Sequence, residues 1–462
     1  MLELIIIVIY FLVMIAIGMV SRREAKGVDD FLVAGRKGSS LFVTGSLLAT
    51  IIGGSATVGM AGLGFTQGLT GAWWLLVGSI GLVILGLFLA KKVREFALYT
   101  LPELVGKQYD RRMALAASLL IVIAWIGIVA GQIIAAGKIL SVVGIGNPLL
   151  WMVLFTIVFV AYTLLGGQYA IIRTDTLQAA IIFIGIFGGL ALLLSNLGGW
   201  SGLKGSLSPE QFAFPISSQF GGLELVKLLL LVGLTYVVGP DMYSRLFCAK
   251  DSKTARTSVF WAALFIIPLA FGITLIGMGA SVLFPQISPE QAFPTVIKEI
   301  LPPFMGGIVL AALLCAVMSS ADTTLLSAST ILVVDIVGWF KPSLSQRKIL
   351  SLSRWGIVVL GVCSLMLALM LKGVINSLLF AYTVYAAGVI LPVIAGFYKK
   401  QLRVTPLGAM AALIGGGSVG LISKLFDIQY LDLGALLISG LLLFVVSFID
   451  NRRQRGSRLP NC

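Results

Sequence analysis

Thirteen apolar runs follow one another along the chain with little between them, at roughly 3–21, 41–65, 72–90, 113–137, 149–165, 174–195, 224–244, 257–284, 305–336, 351–371, 377–398, 406–423 and 433–449. As helices, runs of this length cross a hydrocarbon core of about 30 Å. Hydrocarbon offers no water to backbone amides, so a spanning segment must satisfy its own hydrogen bonds, and a run this long does so as a helix. Composition agrees: 58% of the 462 residues are hydrophobic and 11% are charged, with mean hydropathy +1.05. The expected fold class is an all-α polytopic membrane protein with about 13 spans. One transmembrane domain would cover 1–450, and a basic tail 451–462. The first run lacks a preceding basic region and a small-residue cleavage site, so it reads as a retained helix.

A formal charge of +14 raises the question of a nucleic-acid partner. Its distribution answers it. With the segment 22–40 placed in the cytoplasm, the loops on that side and the tail carry 27 of the 33 Lys and Arg. The opposite side keeps Lys138, Lys204, Lys227, Lys298, Lys372 and Lys424. That is the positive-inside bias, so the charge reports topology and contact with anionic lipid, not nucleic acid. The N-terminus is then outside and the C-terminus cytoplasmic, in a cell membrane. The segment from Glu95 to Arg111 reads as a short interfacial helix introduced by Thr100-Leu101-Pro102, and Trp73-Trp74 as an interfacial belt.

The connection Ser195–Leu223 divides the chain into two five-span blocks, 41–195 and 224–398. Each opens with an interrupted helix. The first contains Gly53-Gly54, the second Gly233 and then Gly239-Pro240. Five is odd, so the second block must lie inverted relative to the first. Paired inverted repeats with broken helices are a transporter design, in which unwound segments present carbonyls and helix ends at mid-membrane. The alternative is that these glycines only allow close packing.

The ninth run carries a polar stripe. Ala316, Ser319, Ser320 and Thr323 share one helical face, extended by Ser327 and Thr330, with Asp322 beside it. Hydroxyls can glue helices together. They can also bind a cation: sodium takes several oxygens and needs little compensating charge, which suits hydroxyls and freed carbonyls. Ser319, Ser320 and the Ala316 carbonyl would supply part of such a shell, and Ala49 and Ile52, ahead of the first glycine break, the rest. The chain has no histidine, and its cysteines (Cys248, Cys315, Cys363, Cys462) form no CxxC, so neither a metal-ligand spacing nor a nucleophile–base pair points to an enzyme. Of the carboxylates in or at the ends of spans, Asp322 reads as functional or paired. Asp175 reads either as a helix N-cap or as a cation ligand, Asp335 as interfacial, and Asp241 as a pocket residue or a partner for backbone donors.

Several long motifs together resemble the sodium:solute symporter family: Ala316 to Ser329, Thr163 to Ala170 followed by Thr174-Asp175 and Gln178, Ala34-Gly35-Arg36, and Tyr243-Ser244-Arg245 with Ala249-Lys250-Asp251. The likeness spans roughly 1–400. It implies a leucine-transporter-like 5+5 core with one extra N-terminal and two extra C-terminal helices, and sodium-driven import of an organic solute. By motif, the sodium ligands would be the carbonyls of Ala49, Ile52 and Ala316 and the hydroxyls of Ser319 and Ser320. A second cation site in some members would fall on Asp175 with Ser319 and, one turn further, Asp322 and Thr323, where Asp322 replaces a hydroxyl. A second sodium, a proton or a structural pair are all open there.

The motif spelling is most similar to the high-affinity choline transporter branch, whose members cage a quaternary ammonium with aromatic rings. Trp125 matches one cage tryptophan, but Ile51 stands where that branch has another, and the second break has none. The solute is expected between the breaks, near Ser55, Ala56, Trp125, Gln132, Tyr236 and Asp241. Two other readings stay open, a proton-coupled symporter using Asp175 and Asp322, and a transporter-like sensor. Oligomeric state is not legible.

Overall fold

The computed structural model describes residues 2–24, 27–141, 147–371, 373–426, 428 and 430–456. Cys462, Lys372 and the end of the basic tail lie outside them. Among the described residues all regular structure is helical. It comprises α1 (Leu2–Glu24), α2 (Ser40–Ile51), α3 (Met60–Gln67), α4 (Trp73–Phe88), α5 (Leu101–Gln108), α6 (Arg111–Ser141), α7 (Pro148–Asn196), α8 (Gly222–Leu228), α9 (Leu234–Val237), α10 (Pro240–Cys248), α11 (Ser252–Leu283), α12 (Ala292–Ile300), α13 (Pro303–Ile331), α14 (Gln346–Met370), α15 (Val374–Tyr385), α16 (Pro406–Leu425) and α17 (Leu431–Gly456), with short turns and helices between them.

Among the described residues, eleven helices are long and apolar enough to cross a membrane, against the thirteen runs expected. The difference lies in two doubled elements. One is α7, whose 49 residues would extend about 74 Å at 1.5 Å per residue, more than twice a bilayer core. It is interrupted at Gly167 (φ 54°, ψ −154°), a conformation only glycine adopts without strain, and an added Cβ would meet Phe31 at 2.5 Å. The other is the stretch Ser55–Phe88, which contains the 3₁₀ segment Gly68–Ala72.

The first break is where the glycines suggest. Ile52 leaves helical geometry (φ −87°, ψ 75°), and the chain resumes in a π turn, Ser55–Gly59, leading into α3. Close approach explains the glycines: a Cβ on Gly54 would lie 2.2 Å from Ala135 Cβ, and one on Gly53 2.6 Å from Ser320 Oγ. The second break is at Val238 (φ −133°, ψ 78°) and Gly239, with Pro240 restarting α10. Gly233 is not part of it. That glycine sits in the π turn Leu229–Gly233 with helical backbone angles (φ −57°, ψ −43°), its missing side chain making room for Val77.

Helix α13 is the hub. Every residue from Val309 to Ile331 is buried, and the helix packs against α1, α2, α6, α7 and α14. The interfacial helix is present as α5, its Thr100 cap accepting from Glu103 N at 3.1 Å. The tryptophan pair divides: Trp74 is core, while half-buried Trp73 stacks on Phe214 and donates to Pro215 O. Arg245, counted from the sequence among the loop cations, is fully buried.

Candidate functional site

The unwound end of α2 lies directly against the hydroxyl stripe of α13. Ser319 Oγ donates to Ala49 O (2.8 Å) and Ala316 O (3.1 Å), and Ser320 Oγ to Thr50 O (2.6 Å). Ile52 is the residue at which the helix unwinds, so the carbonyls here do not all belong to a regular ladder. All five expected ligand residues are buried. The group is uncharged and made wholly of hydroxyl and carbonyl oxygens, a donor set suited to a hard monovalent cation.

A small cavity of about 40 Å³ adjoins it. Ser320 and Thr324 form one wall with Thr50, Gly53 and Ser55 of the first break; Thr235, Tyr236, Gly239 and Asp241 of the second break form the other. Trp125, Gln132 and Tyr382 complete the polar and aromatic lining. Five of the six residues expected around the solute thus share one cavity. Ala56 does not: it is buried in the π turn, one residue past the lining. Gln132 Oε1 accepts from Gly54 N at 2.7 Å, satisfying a donor that the break leaves free. Trp125 Nε1 donates to Asp241 Oδ1 at 2.7 Å, and Tyr385, edge-on to Trp125, donates to Val238 O.

The expected second cation group looks different. Asp175 lies well inside the second half of α7, so it is not an N-cap. Its Oδ2 accepts from Ser46 Oγ (2.5 Å) and from Arg245 Nη2 (3.3 Å). The same Nη2 donates to Thr323 Oγ1, while Nε and Nη1 donate to Ser46 Oγ and Ser244 Oγ, each at 3.0 Å. Thr323 in turn contacts Thr50 Oγ1 (3.4 Å) and Asp322 Oδ1 (3.3 Å). Asp175 and Asp322 therefore converge as expected, but around a guanidinium. Hydropathy missed Arg245 because it follows a span closely; the buried carboxylates needing a partner were the signal that could have found it. Asp335 is half-buried in the π turn that follows α13.

Both ends of the molecule are tied. At one, Gly38 N donates to Cys248 O and Lys250 N to Gly38 O, each at 2.9 Å, with Arg94 Nε on Ala249 O and Arg36 on Leu98 O. Tyr99 donates to Asp29 in the same region; burial first, then that hydrogen bond, pushes its phenol up to about 12, so it remains a donor. At the other end, Lys138 pairs with Glu290, whose Oε1 accepts from Val374 N at 3.1 Å.

Two interrupted helices enclosing a polar cavity, beside a neutral oxygen cluster, define a secondary-active transporter. The model of the sodium:solute symporter family matches residues 31–416, and the chain belongs to that family. Similar proteins include a sodium/pantothenate symporter of Escherichia coli (26% identical, covering 96% of this chain and 95% of the relative) and a sodium/glucose cotransporter of Vibrio parahaemolyticus (24%, 96% and 89%). An osmoregulated proline transporter of Bacillus subtilis is 25% identical over 90% of this chain and 87% of its own. In fold, the chain resembles a Na⁺-coupled sialic acid symporter solved substrate-bound and outward-open (TM-score 0.82, 18% identity, 97% and 98% covered). It also resembles the nucleobase-cation-symport-1 transporter Mhp1 (0.65, 14%, 93% and 95%). The fold is leucine-transporter-like, and the protein is a multi-pass, sodium-coupled solute symporter, not an enzyme, with sodium as the co-transported ion. Family membership thus favours sodium coupling over the proton-coupled and sensor readings.

Proposed function

We propose that sodium is held by the carbonyls of Ala49, Ile52 and Ala316 and the hydroxyls of Ser319 and Ser320, and that the solute occupying the adjoining cavity carries a cationic nitrogen. The observation that carries this is Ser320, which bonds the unwound backbone at Thr50 and also lines the cavity. A cation among these oxygens would replace the Ser319 proton as partner of Ala49 and Ala316, clamping α2 to α13 and shaping the cavity wall. Coupling is then differential binding: ion and solute favour the same arrangement of the break. Inward sodium adds about 2.3 kcal/mol per charge at roughly 100 mV.

Asp241 gives the solute its sign. One carboxylate oxygen is fixed by Trp125, and the residue faces a cavity that also presents the rings of Trp125, Tyr236 and Tyr382. A carboxylate framed by rings attracts an ammonium by charge and by cation–π contact. The cavity has a single tryptophan, and Ile51 lines it where a second would complete a cage. This favours a primary or secondary amine, or a zwitterion, over the quaternary ammonium of the choline branch.

The two breaks facing one cavity support an inverted repeat of 41–195 and 224–398 within a single domain, with access alternating by rocking around that point. The lysine and arginine bias, which survives the removal of Arg245 from the count, supports an external N-terminus, a cytoplasmic C-terminus and anionic lipid against the basic loops. The deciding experiment is a thermal-stability screen of purified protein against amines, amino acids and carboxylates, with sodium or potassium. An amine stabilising only in sodium, then accumulated by proteoliposomes, is the expected result. Stabilisation by an anionic solute alone would sink the cationic reading.

A further inference from the structure

We propose that Arg245 is a resident cation filling the second cation position, so that the protein binds one sodium ion where its carboxylates would otherwise hold another. This rests on the sodium reading of Ser319 and Ser320 and adds the number of ions. The position is built from four elements. Ser46 and Thr50 come from α2, Asp175 from α7, Arg245 and Ser244 from α10, and Asp322 and Thr323 from α13. Arg245 is 0% exposed, as are Asp175, Asp322 and Thr323. It directs its N–H groups at Ser46, Ser244, Asp175 and Thr323.

Those partners include a carboxylate and a hydroxyl that a second sodium would need. Asp175 Oδ2 already accepts two hydrogen bonds. An incoming ion would have to displace a group that cannot give up its proton, or sit beside its charge and share Asp175 with it. Two oxygens, Asp175 Oδ1 and Asp322 Oδ2, have no hydrogen-bond partner among the described residues. They mark where an ion could enter once the guanidinium is gone.

Position on the helix gives the arginine a second task. Asp241 and Arg245 are four apart on α10 and share a face, one at the solute cavity and the other at this cluster. The second broken helix is thereby fixed by its arginine to the first broken helix and to α13.

Equilibrium binding of radiolabelled sodium to the purified full chain tests the assignment. The wild type should bind a single ion, with Arg245→Lys the same and Arg245→Ala admitting a second. Asp175→Asn and Asp322→Asn should not change the number of ions, because the carboxylates serve the arginine; this comparison decides the matter even if Arg245→Ala fails to fold. Loss of a bound ion in either Asn variant, or a well-folded Arg245→Ala chain that binds no more sodium than the wild type, would overturn the proposal. Ser319→Ala tests the underlying reading separately: unchanged sodium binding there would remove the Ser319 site, while the Asn variants still decide the role of Arg245.

Discussion

Ser319 touches two carbonyls and Ser320 one, so the two serines are not equivalent. A hydrogen bond to a charged group contributes about 1.5–3 kcal/mol, and a lost ion–hydroxyl contact should fall in a similar range. Ser319→Ala is therefore expected to raise the sodium concentration for half-maximal uptake roughly 10- to 100-fold. Ser320→Ala should do this and also raise the solute KM, because Ser320 lines the cavity. An uptake assay titrating each at saturating levels of the other separates the two; equal effects of both variants on sodium alone would contradict the shared role of Ser320. Trp125→Phe keeps a ring but removes the donor to Asp241, and about 1 kcal/mol of solute affinity should go with it. The serines were legible because helical periodicity puts them on one face. Arg245 was not, since a charge at the end of an apolar run looks like a loop residue until Pro240 is seen to restart a helix that carries it inward.

The breaks were legible as Gly53-Gly54 and Gly239-Pro240, but not every glycine is a break. Gly64 and Gly277 show the other use, close packing of α3 on α11. A Cβ on Gly277 would lie 1.9 Å from Ala61 O, and one on Gly64 2.3 Å from Thr274 O. Backbone cannot yield as a side-chain tip does, so each Gly→Ala should cost about 1–3 kcal/mol by overpacking. Gly205, with nothing within 4 Å, is the control. Gly205→Ala should be neutral or slightly stabilising. Thermal unfolding followed by size-exclusion chromatography ranks the three, and a Gly277→Ala chain as stable as Gly205→Ala would show that α3 and α11 can separate without loss. Nothing in the local sequence distinguishes Gly64 from Gly53, because the difference lies in which helix approaches.

Access to the cavity belongs to the whole molecule, since the ties at its two ends join segments far apart in the chain. Gly38 and Cys248 hold one end through backbone, while the other depends on a side chain, with Glu290 bridging Lys138 at the end of α6 to Val374 N at the start of α15. The ion pair is mostly buried, at 29% and 21% side-chain exposure, so salt screens it only in part. Such a tie is worth about 1 kcal/mol when partly solvated, which is about fivefold in a two-state equilibrium. Glu290→Ala should therefore open that end several-fold more often and leave the Gly38–Cys248 end unaffected. A thiol placed in the cavity by Ser55→Cys, with exposed Cys363 and the tail's Cys462 both replaced, reports this through its rate of reaction with a membrane-impermeant reagent. In right-side-out vesicles the Glu290→Ala background should accelerate labelling, and in inside-out vesicles it should not. Acceleration only in inside-out vesicles would reverse the orientation drawn from the lysines and arginines, and no change in either would leave the backbone contacts alone to close the cavity.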